Sequence, residues 1–241
     1  MTRTDIDTET RVILVSGGRR GIGAVAAERL IARGWRVSLG LRHGERPQWA
    51  AGIPDDRLHC MPYDAHDPMA ETAWVAAAMA RFGRIDALLA SAGVSAGKGV
   101  LDASDDEIRD MMEVNVLAPR RLAQAAWQPL SACGRGRIVI MGSLSGKRVK
   151  SAASGSYALS KFAATALTHA LRQEGHAAGI RATVICPGFV ATDMARALTT
   201  MDPALMTRPE DIAKMIELVL DLPNEAVLAE LAVNCTLEPS F

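Results

Sequence analysis

Short apolar runs, each closed by glycine, serine or a charged turn, alternate with stretches of helical spacing along this sequence. The apolar runs fall at 12–16, 35–41, 58–63, 87–91, 137–141, 181–186 and 227–233. The helical stretches fall at 22–32, 68–82, 105–130, 156–174 and 209–222. Runs that are mostly apolar, without a polar residue at every second position, fit strands buried on both faces. Strands that alternate with helices form a parallel sheet with helices on either side. The expected fold class is therefore α/β, a single doubly wound sheet of seven parallel strands. The stretch 105–130 reads as one long helix bent at Pro119, where proline removes a helical hydrogen bond. Residues 45–56, rich in Pro and Gly, read as a loop with at most a brief helix. No linker, repeat or low-complexity segment divides the chain, so its 241 residues are expected to form one unit, 1–241.

Composition narrows the function classes. Hydrophobic residues make up 49%, enough to fill a large core. The 27 basic and 27 acidic side chains cancel, which leaves no general field for nucleic acid or anionic lipid. No apolar run approaches the ~20 residues of a membrane span. The first ten residues are polar and lack a hydrophobic signal segment, so a cytoplasmic location is expected. Cys60, Cys133, Cys186 and Cys235 are scattered, and His59 beside Cys60 makes no ligand set. They read as reduced thiols in or beside core strands, with no metal.

Residues 16–23 read Ser-Gly-Gly-Arg-Arg-Gly-Ile-Gly, between the first strand and the first helix. Glycines let a backbone turn tightly and approach a pyrophosphate with no Cβ in the way. The helix start adds free N–H groups and a positive dipole end. Charge then argues for the form of the dinucleotide. An acidic residue at the end of the second strand would hold the ribose hydroxyls of NAD, but here that strand ends Leu39-Gly40-Leu41-Arg42-His43. Arg42 would attract a 2′-phosphate, and Arg20 could supply a second charge, which favours NADP over NAD. The other reading of both arginines is solvated surface charge. Asp64, after the third strand, is a candidate acceptor for the adenine amino group or an ordinary turn residue.

Tyr157 and Lys161 are four apart and share a helix face. An ammonium beside a phenol favours phenolate and lowers the tyrosine pKa from its usual ~10, giving a proton donor and acceptor near neutral pH. Ser143 closes the fifth strand, where strand C-termini face the ligand crevice, and its hydroxyl can donate to a carbonyl oxygen. Asn115, in the long helix, could hold a water linking Lys161 to solvent. Singly, each has a duller reading as a turn former, a helix polar residue or a surface charge.

Taken in order along the chain, these motifs resemble the short-chain dehydrogenase/reductases over nearly the full length. The resemblance rests on Gly17, Gly21 and Gly23; the Asp64 site; Asn115; Ser143; Tyr157-x-x-x-Lys161; and Pro187-Gly188-Phe189-Val190-Ala191-Thr192. It implies a Rossmann-type fold and an NAD(P)-dependent oxidoreductase, NADP preferred, acting on a small-molecule carbonyl or secondary alcohol. Tyr157 would be the acid/base, Ser143 would orient the oxygen, and Lys161 would hold the nicotinamide ribose. The cofactor would meet Gly17, Arg19, Arg20, Gly21, Ile22 and Gly23, then Arg42, Asp64 and Ala65, then Ala92 and Gly93. Tyr157, Lys161, Pro187, Gly188, Val190 and Thr192 would complete its site. Residues 193–207 correspond to a substrate lid. A homodimer or homotetramer is implied, through 105–130 and 156–174, with Ala123, Ala125, Ala126, Ala163, Ala164 and Ala166 permitting close approach or facing the sheet instead.

Some positions depart from the family pattern. Ala90-Ser91-Ala92-Gly93 stands where the family often has Asn-Asn-Ala-Gly, and Ser91 could replace part of the lost hydrogen bonding. The final residues lack the Asp-Gly-Gly ending common in 3-oxoacyl carrier-protein reductases. The loop 147–150, Lys-Arg-Val-Lys, borders the expected substrate mouth and reads as a solvated loop or as a site favouring an anionic substrate. A competing reading of the whole is a dinucleotide sensor that binds without turnover.

Overall fold

The computed structural model describes residues 10–237. Seven parallel strands form one sheet: β1 (Val12–Ser16), β2 (Arg36–Leu41), β3 (Leu58–Pro62), β4 (Ala87–Ala90), β5 (Arg137–Met141), β6 (Arg181–Pro187) and β7 (Glu230–Val233). Their spatial order is β3-β2-β1-β4-β5-β6-β7. Among the described residues eight α-helices cover it: α1 (Gly21–Ala32), α2 (Ala70–Phe82), α3 (Asp105–Met112), α4 (Ala118–Ala125), α5 (Trp127–Ala132), α6 (Gly155–Gly175), α7 (Asp193–Leu198) and α8 (Pro209–Asp221). This is the doubly wound Rossmann-type architecture that the alternation predicts.

The sheet is buried because its two faces serve two cores. Along β1, Ile13 and Val15 pack toward α1 and α8 with Leu30, Ile212 and Ile216. Leu14, pointing the other way, packs with Leu88, Ile138, Trp74 and Leu122 beneath α2 and α4. Gly40 in β2 makes room for the second layer: a Cβ there would lie 2.6 Å from the Trp74 ring. Trp74 covers the strand at that point and donates to Ser38 Oγ.

The order reverses between β1 and β4, since the chain runs out through β2 and β3 and returns to β4 on the far side of β1. Ser16, Gly40 and Ala90 are level in register, so three strand ends open on one crevice at the switch point.

The main departure from expectation is the stretch 105–130. It is not one helix bent at Pro119. A Ser104/Glu107 capping box starts α3, a π-helical turn occupies Glu113–Leu117, and α4 begins at Ala118. Pro119 sits in the first turn of α4, where its missing N–H costs little. The last break comes at Ala126, whose ψ of 1° leaves the helical range. Strand β7 is also shorter than the apolar run 227–233, and residues 45–56 hold one 3-10 turn, Gln48–Ala50. Among the described residues, no helix is long and apolar enough to cross a membrane. Ala123, Ala126 and Ala164 are fully buried toward the sheet. The outward face of α6 instead shows Leu159 and Phe162.

Candidate active site

A cavity of about 630 Å³ opens over the C-terminal ends of β1, β2, β4, β5 and β6. Most of the residues singled out from the sequence line it: Gly17, Arg19, Arg20, Gly21, Ile22, Arg42, Ala65, Ala92, Gly93, Ser143, Tyr157, Lys161, Pro187, Gly188, Val190 and Thr192. Segments far apart in the chain meet here because parallel strands deliver all their following loops to one edge.

The turn between β1 and α1 is shaped by glycine. Gly17 has φ of +72°, and a Cβ there would lie 2.7 Å from the Ala92 amide nitrogen. Gly23 packs so closely that a Cβ would lie 2.6 Å from the Gly17 carbonyl oxygen. It therefore supports the turn from behind and does not line the cavity. The Ser16 hydroxyl accepts from the Ser91 and Ala92 amides at 3.2 and 3.3 Å. It is this hydroxyl, not the Ser91 side chain, that ties the end of β4 to the glycine turn. The start of α1 carries no side-chain cap, so its N–H groups remain to meet an anion. A turn bare of Cβ atoms beneath uncapped amides fits a dinucleotide pyrophosphate.

Gly17→Ala is expected to lower stability by at least ~2 kcal/mol. Left-handed backbone alone costs an L-residue ~1–2 kcal/mol, and the Cβ meets rigid backbone. Gly83→Ala is the control, with φ of +78° but nothing within 4 Å of the added Cβ. Its melting temperature should fall by the torsional part only; equal losses in the two variants would contradict the close approach at Ala92.

The cationic residues divide differently from the sequence expectation. Arg20 pairs with Asp193 at 3.1 Å, which joins the glycine turn to the first turn of α7. Arg19 and Arg42 line the cavity with no hydrogen bond or ion pair among the described residues. Asp64 is exposed and does not line the cavity. Its Oδ1 accepts from the His66 backbone and ring at 3.1 and 3.0 Å, and His66 Nε2 reaches Asp110 on α3 at 2.6 Å. These bonds hold the Asp64 carboxyl below its usual range. Tyr63 and Ala65, on either side, face the cavity instead.

At the other end, Ser143 closes β5 while α6 brings Tyr157 and Lys161 over the same strand end. Lys161 is buried and donates to the Met141 carbonyl at 2.7 Å. That is its one hydrogen bond among the described residues, so two ammonium donors are left beside the cavity. Burial lowers its pKa to about 8. Burial also pushes the Tyr157 phenol above its usual range, and the Ser143 hydroxyl facing it offsets only part of the rise. The lowering expected from Lys161 is not found, because Lys161 Nζ lies 5.5 Å from the Tyr157 ring centroid and donates elsewhere. Tyr157 is therefore a neutral phenol, the state a proton donor needs.

Asn115 stands behind the wall and does not line the cavity. Its amide donates to the Val94 carbonyl and Ser160 Oγ, both at 2.9 Å, and accepts from the Val94 amide at 2.9 Å. These bonds use its side chain to clamp the segment after β4 onto α6, so no water-holding capacity remains on Nδ2. The π turn is what aims it there. Asn234 and Thr236, after β7, also line the cavity. A Cβ on Gly188 would meet Asn234 Oδ1 at 2.3 Å. No motif in the sequence marks this pair; the pairing of β7 with β6 brings it to the cavity.

A sequence-family model described as short chain dehydrogenase matches residues 11–203. Two agropine synthesis reductases of Rhizobium rhizogenes are 37% and 40% identical over 231 and 233 residues, covering 95% of this chain and 54% of theirs. The chain thus spans about half the length of those relatives. The 3-oxoacyl-acyl-carrier-protein reductase FabG of Escherichia coli is 31% identical over 195 residues, 79% of this chain and 78% of its own. Among solved structures, a short chain dehydrogenase from Burkholderia cenocepacia in complex with NADP superposes with a TM-score of 0.85 at 31% identity, covering 95% of this chain and 98% of that one. With the glycine turn, the switch-point cavity and the Ser143, Tyr157, Lys161 cluster all inside the matched span, this chain belongs to the short chain dehydrogenase family.

Proposed function

We propose that this protein is an NADP(H)-dependent oxidoreductase that reduces a carbonyl to an alcohol. The observation that carries the reading is the meeting, in one cavity, of a proton-donating phenol, a hydroxyl and an ammonium with an anion-ready glycine turn. The relatives named reductases support the direction, and the NADP complex of the Burkholderia structure supports the cofactor.

NADPH, when bound, supplies the hydride that adds to the carbonyl carbon. Arg19 and Arg42 hold its 2′-phosphate, the β1–α1 turn holds the pyrophosphate, and the spare ammonium donors of Lys161 hold the ribose. Ser143 donates a hydrogen bond to the carbonyl oxygen and fixes its direction. Tyr157 gives its hydroxyl proton to that oxygen as negative charge develops there. The nearby Lys161 charge then stabilises the phenolate until solvent returns the proton. Residues 193–207 act as a lid: the Val190–Thr207 bridge closes the base of this loop, and Met194, Leu198 and Met201 turn into the cavity. The methionines give an adaptable apolar wall. The whole chain works as one catalytic domain, in the cytoplasm. A second copy is expected on the α6 face that exposes Leu159 and Phe162, giving a homodimer or homotetramer, which sedimentation would measure.

The test is NADPH oxidation against a panel of aldehydes, ketones and 3-oxo esters. Tight NADPH binding with no oxidation across the panel would replace this reading by that of a sensor. Arg42→Asp tests the nucleotide: the ratio of kcat/KM for NADPH over NADH should fall by at least ~10-fold, since a carboxylate would repel the 2′-phosphate. An unchanged ratio would remove Arg42 from that role.

A further inference from the structure

The chain has no net charge, yet its cavity wall is strongly one-sided. Arg19, Arg20, Arg42, Arg148, Lys150 and Lys161 line it, against a single carboxylate among the described residues, Asp193. That carboxylate is already paired, with Arg20 at 3.1 Å and with Arg196 at 3.0 Å. A concave wall of one sign concentrates the opposite charge from solution.

The dinucleotide in the proposed function accounts for only part of this charge. Arg19 and Arg42 follow β1 and β2, and Lys161 serves the ribose. Arg148 and Lys150 follow β5, on the other side of the switch point. From β2 to β5 the sheet steps across three strand spacings, ~14 Å. One phosphate cannot be shared across that distance.

The loop 147–150 also divides its charges. Lys147 is turned away from the cavity into an ion pair with Glu230 of β7, which also bonds His169 Nε2 at 2.6 Å. Anchoring Lys147 fixes the direction of the chain that follows, so that Arg148 and Lys150 face inward. Lys150 is exposed and has no hydrogen bond or ion pair among the described residues. Ser145, Ser151 and Ser154 line the same end of the cavity.

We infer that the substrate is an anionic carbonyl compound, whose carboxylate or phosphate is held by Lys150 with Arg148 while its carbonyl lies at Ser143 and Tyr157. The inference rests on the proposed reductase reading and names the substrate class of that site. Lys150 is a specificity-determining residue that touches the remote anion and takes no part in proton transfer.

Paired probes test it, with NADPH saturating so that Arg19 and Arg42 are already engaged. One pair is 4-oxopentanoate and its methyl ester; the other is dihydroxyacetone phosphate and dihydroxyacetone. The charged member of at least one pair is expected to have the higher kcat/KM, by ~10-fold or more, and the pair that shows it tells carboxylate from phosphate. Lys150→Glu should lower that ratio by at least ~10-fold, and Arg148→Gln should lower it by less. Oxidation of NADPH with no preference for the charged member, or a ratio unmoved by Lys150→Glu, overturns the anion site and leaves the reductase reading standing. Titration calorimetry with the same probes needs no turnover. Charged-probe binding that Lys150→Glu abolishes, in a protein that oxidises no NADPH, upholds the anion site and removes the reductase reading. Absence of charged-probe binding in the unaltered protein overturns the anion site outright.

Discussion

Tyr157→Phe should cut carbonyl-dependent NADPH oxidation by ~10²–10⁴-fold, the usual worth of a positioned general acid, while NADPH binding changes by less than ~3-fold. The substitution removes one oxygen from the cavity wall and leaves the ring. Burial keeps this phenol neutral, so in the reducing direction its proton is present at any pH near neutrality. The loss should therefore appear in kcat at all pH values from 6 to 8. Stopped-flow oxidation with fluorescence titration of NADPH would separate the two effects. A variant that keeps full turnover would mean that the proton comes from elsewhere, with Ser143 the first alternative.

The second large effect is at Lys161. Lys161→Met should lower kcat/KM at least ~100-fold at pH 7, because among the described residues no other cation is found over the Tyr157 ring, and should weaken NADPH binding as well. It should also change how stability depends on pH. In the folded protein the ammonium gives up its proton at about 8, against 10.5 when unperturbed. Between those values the unfolded chain binds more protons, so the stability of the unaltered protein rises with pH across this window. Below about 8 the full penalty for burying the charge is present, ~3 kcal/mol for the shift. Denaturant unfolding of both proteins without cofactor, from pH 7 to 10.5, should show their difference shifting in favour of the unaltered protein as pH rises. Parallel curves would mean that Lys161 keeps an ordinary pKa. Turnover of the unaltered enzyme should also decline above about pH 8 as the ammonium is lost, and that decline should be absent from the residual activity of the variant.

Much of the architecture could be read before any coordinates. Strands β1, β4, β5 and β6 are marked by mostly apolar residues, because a strand covered on both faces has no solvent side to encode. The β1–α1 turn is equally legible, since positive φ at Gly17 and contact with Ala92 leave only glycine there. The break in 105–130 was not legible. Its residues keep helical spacing across 113–117, and the π turn shifts the register without a proline or glycine to announce it. That shift decides where Asn115 points, and its side-chain amide, expected to hold a water, is bonded to Val94 and Ser160.

The charges show the same division. Arg19 and Arg20 are neighbours of the same type in one turn that both line the cavity, and only the position of α7 engages Arg20 with Asp193 and leaves Arg19 with no ion pair among the described residues. Lys147 and Lys150 are likewise separated by Glu230, which comes from β7, more than 80 residues away. Asp64 is drawn aside by His66 and Asp110.

The order of strands and helices, the glycine turn and the identity of the reacting side chains are written in local sequence, because burial pattern, backbone freedom and residue chemistry are properties of a few neighbouring residues. Which polar groups remain unpaired and face the crevice was decided only by the packed fold. Partners there come from segments remote in the chain, and each ion pair made at one place removes a charge from service at another.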